Sequence, residues 1–241
     1  MWRTLVLSIV AMAIVAPAFA QDAEEIVVTA SRRVGGYNDR SDDVQIALPH
    51  VVMKHRADSV IVDLVVRSDT RDRSDRLNEI RQALTGLQGR ASAANVSLAL
   101  VDDEQGIVLP FTMAAAEELI VADSRPDTSM LTIHLKTPVS ASDTLGSIHQ
   151  RIDRFVTQSP KPGRVEMSTG DTQLVLSDPE QYRTPLLRAL AQDSQSVTSA
   201  MGAGYGLAVT GLERRVAWQR TGDLELTLFL PYALSTAPRA Q

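Results

Sequence analysis

The sequence predicts an α+β domain, an antiparallel or mixed sheet with about three helices packed on it. Residues 59–67, 130–136 and 224–230 alternate apolar and polar side chains with period two, the pattern of half-buried strands. Stretches beginning at Leu77, Leu145 and Tyr182 instead place apolar residues three and four apart, as helices do. The order strand, helix, several strands, helix, strand, helix, two strands lacks the regular alternation of a doubly wound nucleotide fold.

The periodic region starts at Leu48. Val60, Val62, Leu64 and Val66 give the first strand one fully apolar face, while Ile61, Asp63, Val65 and Arg67 make the other face mixed. A helix follows from about Asp72, carrying Leu77, Ile80, Leu84, Leu87 and Ala91. Residues 96–101 read as a short strand, and two more are expected at 107–114 and 117–123. After the strand 130–136, Ser140 and Asp143 match a capping box for a helix over 142–157. A strand over 164–176 leads to Ser177-Asp-Pro-Glu180, a second capping-box match, and a helix through Met201. Pro185 would remove a hydrogen bond from the interior of that helix, so the helix is kinked there or begins late. Two strands, 206–219 and 223–232, close the domain around the turn Thr221-Gly-Asp223. Residues 48–234 suffice for a substantial core. Residues 235–241 read as a C-terminal tail.

The first twenty residues have a different character. Arg3, an apolar run over 5–16 broken only by Ser8, Pro17, and Ala18-Phe-Ala20 form a secretory signal peptide cleaved between Ala20 and Gln21. The run spans roughly 18 Å as a helix, against a bilayer core of about 30 Å, so a membrane anchor is the weaker reading. Losing these twenty residues, and with them the charge of Arg3, takes the net charge from −5 to −6 and leaves 221 residues. No later segment is apolar enough to span a bilayer as a helix.

The chain is 44% hydrophobic and 22% charged, as ordinary globular domains are, and it contains no Cys. That zero excludes disulfides, Cys-based zinc sites, thiol catalysis and an N-terminal lipidated Cys. An exported, Cys-free, Arg-rich protein that is not a lipoprotein fits the periplasm of a Gram-negative bacterium. Arginines mix with aspartates over 67–76 and form no basic stripe, so nucleic acid is not an expected partner.

Sites of chemistry are thin. Gly202-Ala-Gly-Tyr-Gly206 resembles a phosphate loop in composition, but it leaves a helix and opens a strand, the reverse of a dinucleotide loop, and reads as a helix C-cap. His50, His55, His134 and His149 have no metal-ligand spacing. The acidic runs at 22–25 and 102–104 lack the alternation of a calcium loop. There is no G-x-S-x-G or S-x-x-K nucleophile motif. The reading is a non-catalytic protein without a cofactor, although carboxylates assembled by the fold leave an envelope hydrolase as a third reading.

The polar segment 21–47 reads as an exposed tail, and within it lies Glu24-Glu-Ile-Val-Val-Thr-Ala-Ser-Arg-Arg33. This stretch resembles the TonB box of TonB-dependent outer-membrane receptors: an acidic residue, then I-V-V-T-A, then Ser-Arg. The resemblance implies docking by strand addition through Glu25, Ile26, Val27, Val28, Thr29, Ala30 and Ser31, with TonB or another periplasmic strand acceptor as partner. The alternative is that the segment is an edge strand of its own domain. The 208 residues after Arg33 are too few for a plug and a 22-stranded barrel, so the docking peptide would sit on a different body.

That body is similar to the SIMPL-domain, or YggE-like, periplasmic proteins. The resemblance spans about 48–234 and rests on the element order and on Leu174-Val-Leu-Ser-Asp-Pro-Glu180 before the last long helix. It implies a non-catalytic envelope protein that self-associates and is linked to stress tolerance, with no family catalytic residues to carry over. Two partner expectations follow: a homo-oligomer, or an adaptor recruited through 25–31.

Overall fold

The computed structural model describes residues 25–28, 49–102 and 107–239. The signal segment with its Ala20–Gln21 junction, and most of the expected tail, lie outside the described residues.

The fold is α+β, and among the described residues every strand pairs antiparallel and there are four helices. The strands are β1 (Glu25–Val28), β2 (Met53–Arg56), β3 (Ser59–Ser68), β4 (Ser97–Asp102), β5 (Ile107–Pro110), β6 (Val121–Ala122), β7 (Ser129–Pro138), β8 (Val165–Ser177), β9 (Tyr205–Thr210), β10 (Ala217–Arg220), β11 (Glu225–Phe229) and β12 (Ala233–Pro238). The helices are α1 (Arg73–Ala91), α2 (Met113–Glu118), α3 (Leu145–Gln158) and α4 (Arg183–Met201).

β3 is the axis of the main sheet, pairing along its length with β7 on one side and β8 on the other. From there the pairing runs β8-β1-β5-β4-β7 and so returns to β3, with β6 added at the start of β7. The two faces of β3 therefore meet different surroundings. Val60, Val62, Leu64 and Val66 pack with Leu131, Ile133 and Leu135 of β7 beneath Ile80, Leu84 and Leu87 of α1 and Ile148 and Ile152 of α3. Ile61 and Val175 point the other way into the ring, where Val101 and Val108 cover them. The smaller sheet β10-β11-β2 adds Trp218, Leu226 and Leu228 to the main core.

Several boundaries depart from expectation. Residues 113–118 are helical and not part of a strand, because Thr112 caps Met-Ala-Ala-Ala-Glu-Glu by accepting from the Ala115 N–H. The cap of α3 is Thr144 with Ser147, a true capping box four residues beyond the expected pair. Asp143 instead closes the preceding turn, accepting from the Ser140 N–H at 2.8 Å, and binds Arg151 Nη2 at 2.7 Å. The second expected box, Ser177 to Glu180, does not cap either: Asp178 adopts φ +42°, and a 3₁₀ turn over Pro179–Tyr182 intervenes before α4. Glu180 accepts from the Val216 N–H at 2.9 Å. α4 thus begins late, and Pro185 falls in its first turn, where its missing N–H is not needed. The expected strand 206–219 breaks into β9 and β10, the expected strand 223–232 shortens to β11, and β12 forms beyond it, taking in residues 235–238 of the expected C-terminal tail through pairing with β9, while the turn at 221–223 is retained through N–H groups of Thr221 and Gly222 donating to the Glu225 carbonyl. Gly202 does cap α4, at φ +83°, its N–H donating to Thr198 O.

No helix among the described residues is long and apolar enough to cross a membrane.

Candidate interaction surface

The segment expected to dock a partner is placed only in part. Glu25–Val28 form β1, whose backbone pairs residue for residue with Ser177–Leu174 of β8 and, at Ile26, with Ile107 of β5. Both edges of β1 are thus engaged within the chain's own sheet, and donating them to a partner requires withdrawing the strand first. Thr29, Ala30 and Ser31 lie outside the described residues.

The histidines are used locally. His55 Nε2 lies 2.8 Å from the Tyr182 hydroxyl and 3.3 Å from Asp58 Oδ1, while Asp58 Oδ2 accepts from the Ser177 N–H at 2.7 Å. Burial pushes the Tyr182 phenol up from its ordinary value, and the negative charges of Asp58 and Asp178 push in the same direction. This triad joins the β2–β3 link to the entry of α4. Sequence spacing could not reveal it, since His55 and Tyr182 are 127 positions apart. His134 Nδ1 pairs with Asp63 Oδ1 at 3.1 Å across β7 and β3, and His149 meets the Thr172 hydroxyl at 2.9 Å. His50 stands 3.5 Å from Asp193. Among the described residues no three His, Asp or Glu side chains are grouped to hold a metal ion.

A cleft of about 330 Å³ beside His55 is lined by Lys54, Arg56, Asp143 and Glu225. Several of its polar groups are already engaged: Lys54 binds Glu225 at 3.0 Å, Arg56 donates to the Asp143 backbone carbonyl, and the Asp143 carboxylate holds Arg151.

A different surface is unfinished. Beyond Leu190, α4 runs for three more turns without burying a side chain, and it leads directly into β9. β9 pairs with β12 from Tyr205↔Pro238 to Thr210↔Ala233 as a separate two-stranded ribbon. Residues 191–210 and 231–239 contain no buried residue. Met201 and Tyr205 expose about two fifths of their surface. Among the described residues, neither outer edge of this ribbon pairs with another strand. Such a helix-and-ribbon arm has no core of its own and two open backbone edges, the condition that favours strand addition.

No family model matches the chain, and no curated protein matches it either. A solved structure described as "Crystal structure of a hydrolase from Listeria innocua" is similar at 12% identity, over 78% of this chain and 94% of that one, with a TM-score of 0.17. A likeness at that level bears on neither fold nor chemistry.

Proposed function

We propose that this is a non-catalytic, SIMPL-like protein of the Gram-negative periplasm that works by self-association through its helix-and-ribbon arm, in support of stress tolerance of the envelope. The observation that carries the reading is the arm itself: α4 beyond Leu190 with β9 and β12, without a buried side chain and with both ribbon edges open. A two-stranded ribbon is marginal alone, and a third strand from a second copy would satisfy its outward N–H and C=O groups. The TonB-docking alternative has less support, because β1 is already paired on both sides.

Light scattering on the chain from Gln21 tests the proposal. A defined multimer is expected, and Tyr205→Lys combined with Ala237→Lys, two exposed positions on opposite strands of the ribbon, should convert it to a monomer with unchanged thermal unfolding. A monomer at the highest soluble concentration, or a multimer indifferent to the two lysines, would remove the arm from this role.

A further inference from the structure

Arg76, on the second turn of α1, is nine-tenths buried. Its Nε donates to Ser129 Oγ at 3.2 Å, and Nη1 donates to the carbonyl oxygens of Thr70 and Arg71 at 2.8 and 2.9 Å. Those acceptors are neutral. Among the described residues no carboxylate forms an ion pair with Arg76, and its Nη2 makes no hydrogen bond. Asp72 feels the charge of Arg76 but commits its carboxylate to the N–H groups of Ser74 and Asp75 as the cap of α1. A buried cation held only by neutral groups is costly, and proteins ordinarily supply an anion.

Arg76 lines a cleft of about 430 Å³ between the start of α1 and residues 120–129. That volume lies within the range of small-molecule sites. Arg73 and Arg125 also line it, against two carboxylates, Asp123 and Asp127. Asp123 is neutralised from outside the cleft by Arg67, whose Nε lies 3.1 Å away, and is further held by the N–H of Ser124 at 2.6 Å. Arg125 is likewise paired from outside the cleft, with Glu166 at 3.6 Å, so two guanidinium groups, Arg73 and Arg76, face one carboxylate, Asp127, leaving a net positive site whose remaining acidic group disfavours a polyanion. The rest of the wall is mixed: Leu77, Ile120, Val121 and Pro126 are apolar, while Ser124, Thr128 and Ser129 are polar.

We infer that this cleft binds a small monocarboxylate with a short apolar chain, Arg76 Nη2 donating to the carboxylate, Arg73 adding charge, and Leu77 and Ile120 covering the chain. Arg76 is the specificity-determining group, because among the three arginines lining the cleft it alone is buried, and its Nη2 is an unused donor.

Isothermal titration of the chain from Gln21 with hexanoate tests this, with hexanol and inorganic phosphate as comparison probes. Hexanoate should bind at a single site at least about tenfold more tightly than either. Arg76→Met should abolish the binding. Arg73→Gln, at an exposed position, should weaken it several-fold while leaving thermal unfolding unchanged, and it serves as the readout if Arg76→Met does not fold. Absence of saturable binding, equal binding of hexanol, tighter binding of phosphate, or hexanoate binding indifferent to Arg73→Gln would each overturn the assignment.

Discussion

Glu79 ties three separate stretches of chain to one carboxylate. It accepts from Ser68 Oγ at 2.7 Å, from Thr70 Oγ1 at 2.9 Å and from the Arg164 N–H at 3.2 Å. The end of β3, the first half of α1 and the start of β8 are thereby fixed together. Ser68 is fully buried, so its hydroxyl has no water to turn to if the acceptor is lost. The loop bringing Arg164 into place passes so close that a Cβ on Gly163 would stand 2.0 Å from Glu79 Oε1, and Gly163 also sits at φ +55°. Glycine is required there on both counts. Glu79→Ala should therefore cost about 1–3 kcal/mol in urea unfolding. Gly163→Ala should destabilise as well, and in the double variant the two losses should fall short of their sum, since each disrupts the same junction.

At the scale of elements, α4 shows how local rules give way to the chain's route. Pro185 is in the first turn, so Pro185→Ala should shift the melting temperature by no more than a few degrees, whereas an interior proline would have been costing about 3 kcal/mol. β1 makes the opposite prediction. Deleting Glu24 to Arg33 uncovers the β8 edge from Leu174 to Ser177, and the melting temperature should fall; an unchanged melt would mean the strand contributes nothing to the domain. Strong periodicity made β3, β7, α1 and α3 legible in the sequence, because burial on one face imposes it directly. The α2 segment was not legible: its six residues are too short for a helical period to show, and only the Thr112 cap and the alanines mark it. Nor could the capping-box pattern at Ser177 reveal that Asp178 turns left-handed and directs Glu180 to Val216, a tertiary contact across 36 positions. The arm was half legible, as the strand that became β9 and a helix end, but β12 lies past the last expected strand, and its pairing with β9 apart from the main sheet belongs to the fold. Arg76 reads in the sequence as a basic residue on the polar side of α1; its burial overturns that reading and, with the missing counter-ion, belongs to the fold.

For the whole molecule, the titrating groups define a window of pH over which the fold holds. Burial of Glu79 works to raise its carboxyl, but the hydroxyls of Ser68 and Thr70 and the Arg164 N–H together outweigh it and hold the group below its ordinary value. Asp143 is lowered by the hydroxyl and N–H of Ser140, against an opposing contribution of burial, with Arg151 adding to the lowering. A carboxyl depressed in the folded state contributes stability above its unfolded pKa, near 4, and loses it as pH falls through the folded value. Tyr182 has the reverse sign: its pKa is raised on folding, so its contribution is complete below about 10 and is lost as pH rises through the folded value. Melting temperature should accordingly be level from about pH 5 to 9 and decline on both sides. The two limbs can be assigned separately. Glu79→Gln should lower the plateau and shallow the acid limb while leaving the alkaline one alone, because it removes the depressed carboxyl. Tyr182→Phe should do the converse, sacrificing the hydrogen bond to His55 but flattening the loss above about pH 10, where the wild-type phenol must ionise between Asp58 and Asp178. An alkaline limb as steep in Tyr182→Phe as in the wild type would show that this half-buried phenol does not govern the upper boundary.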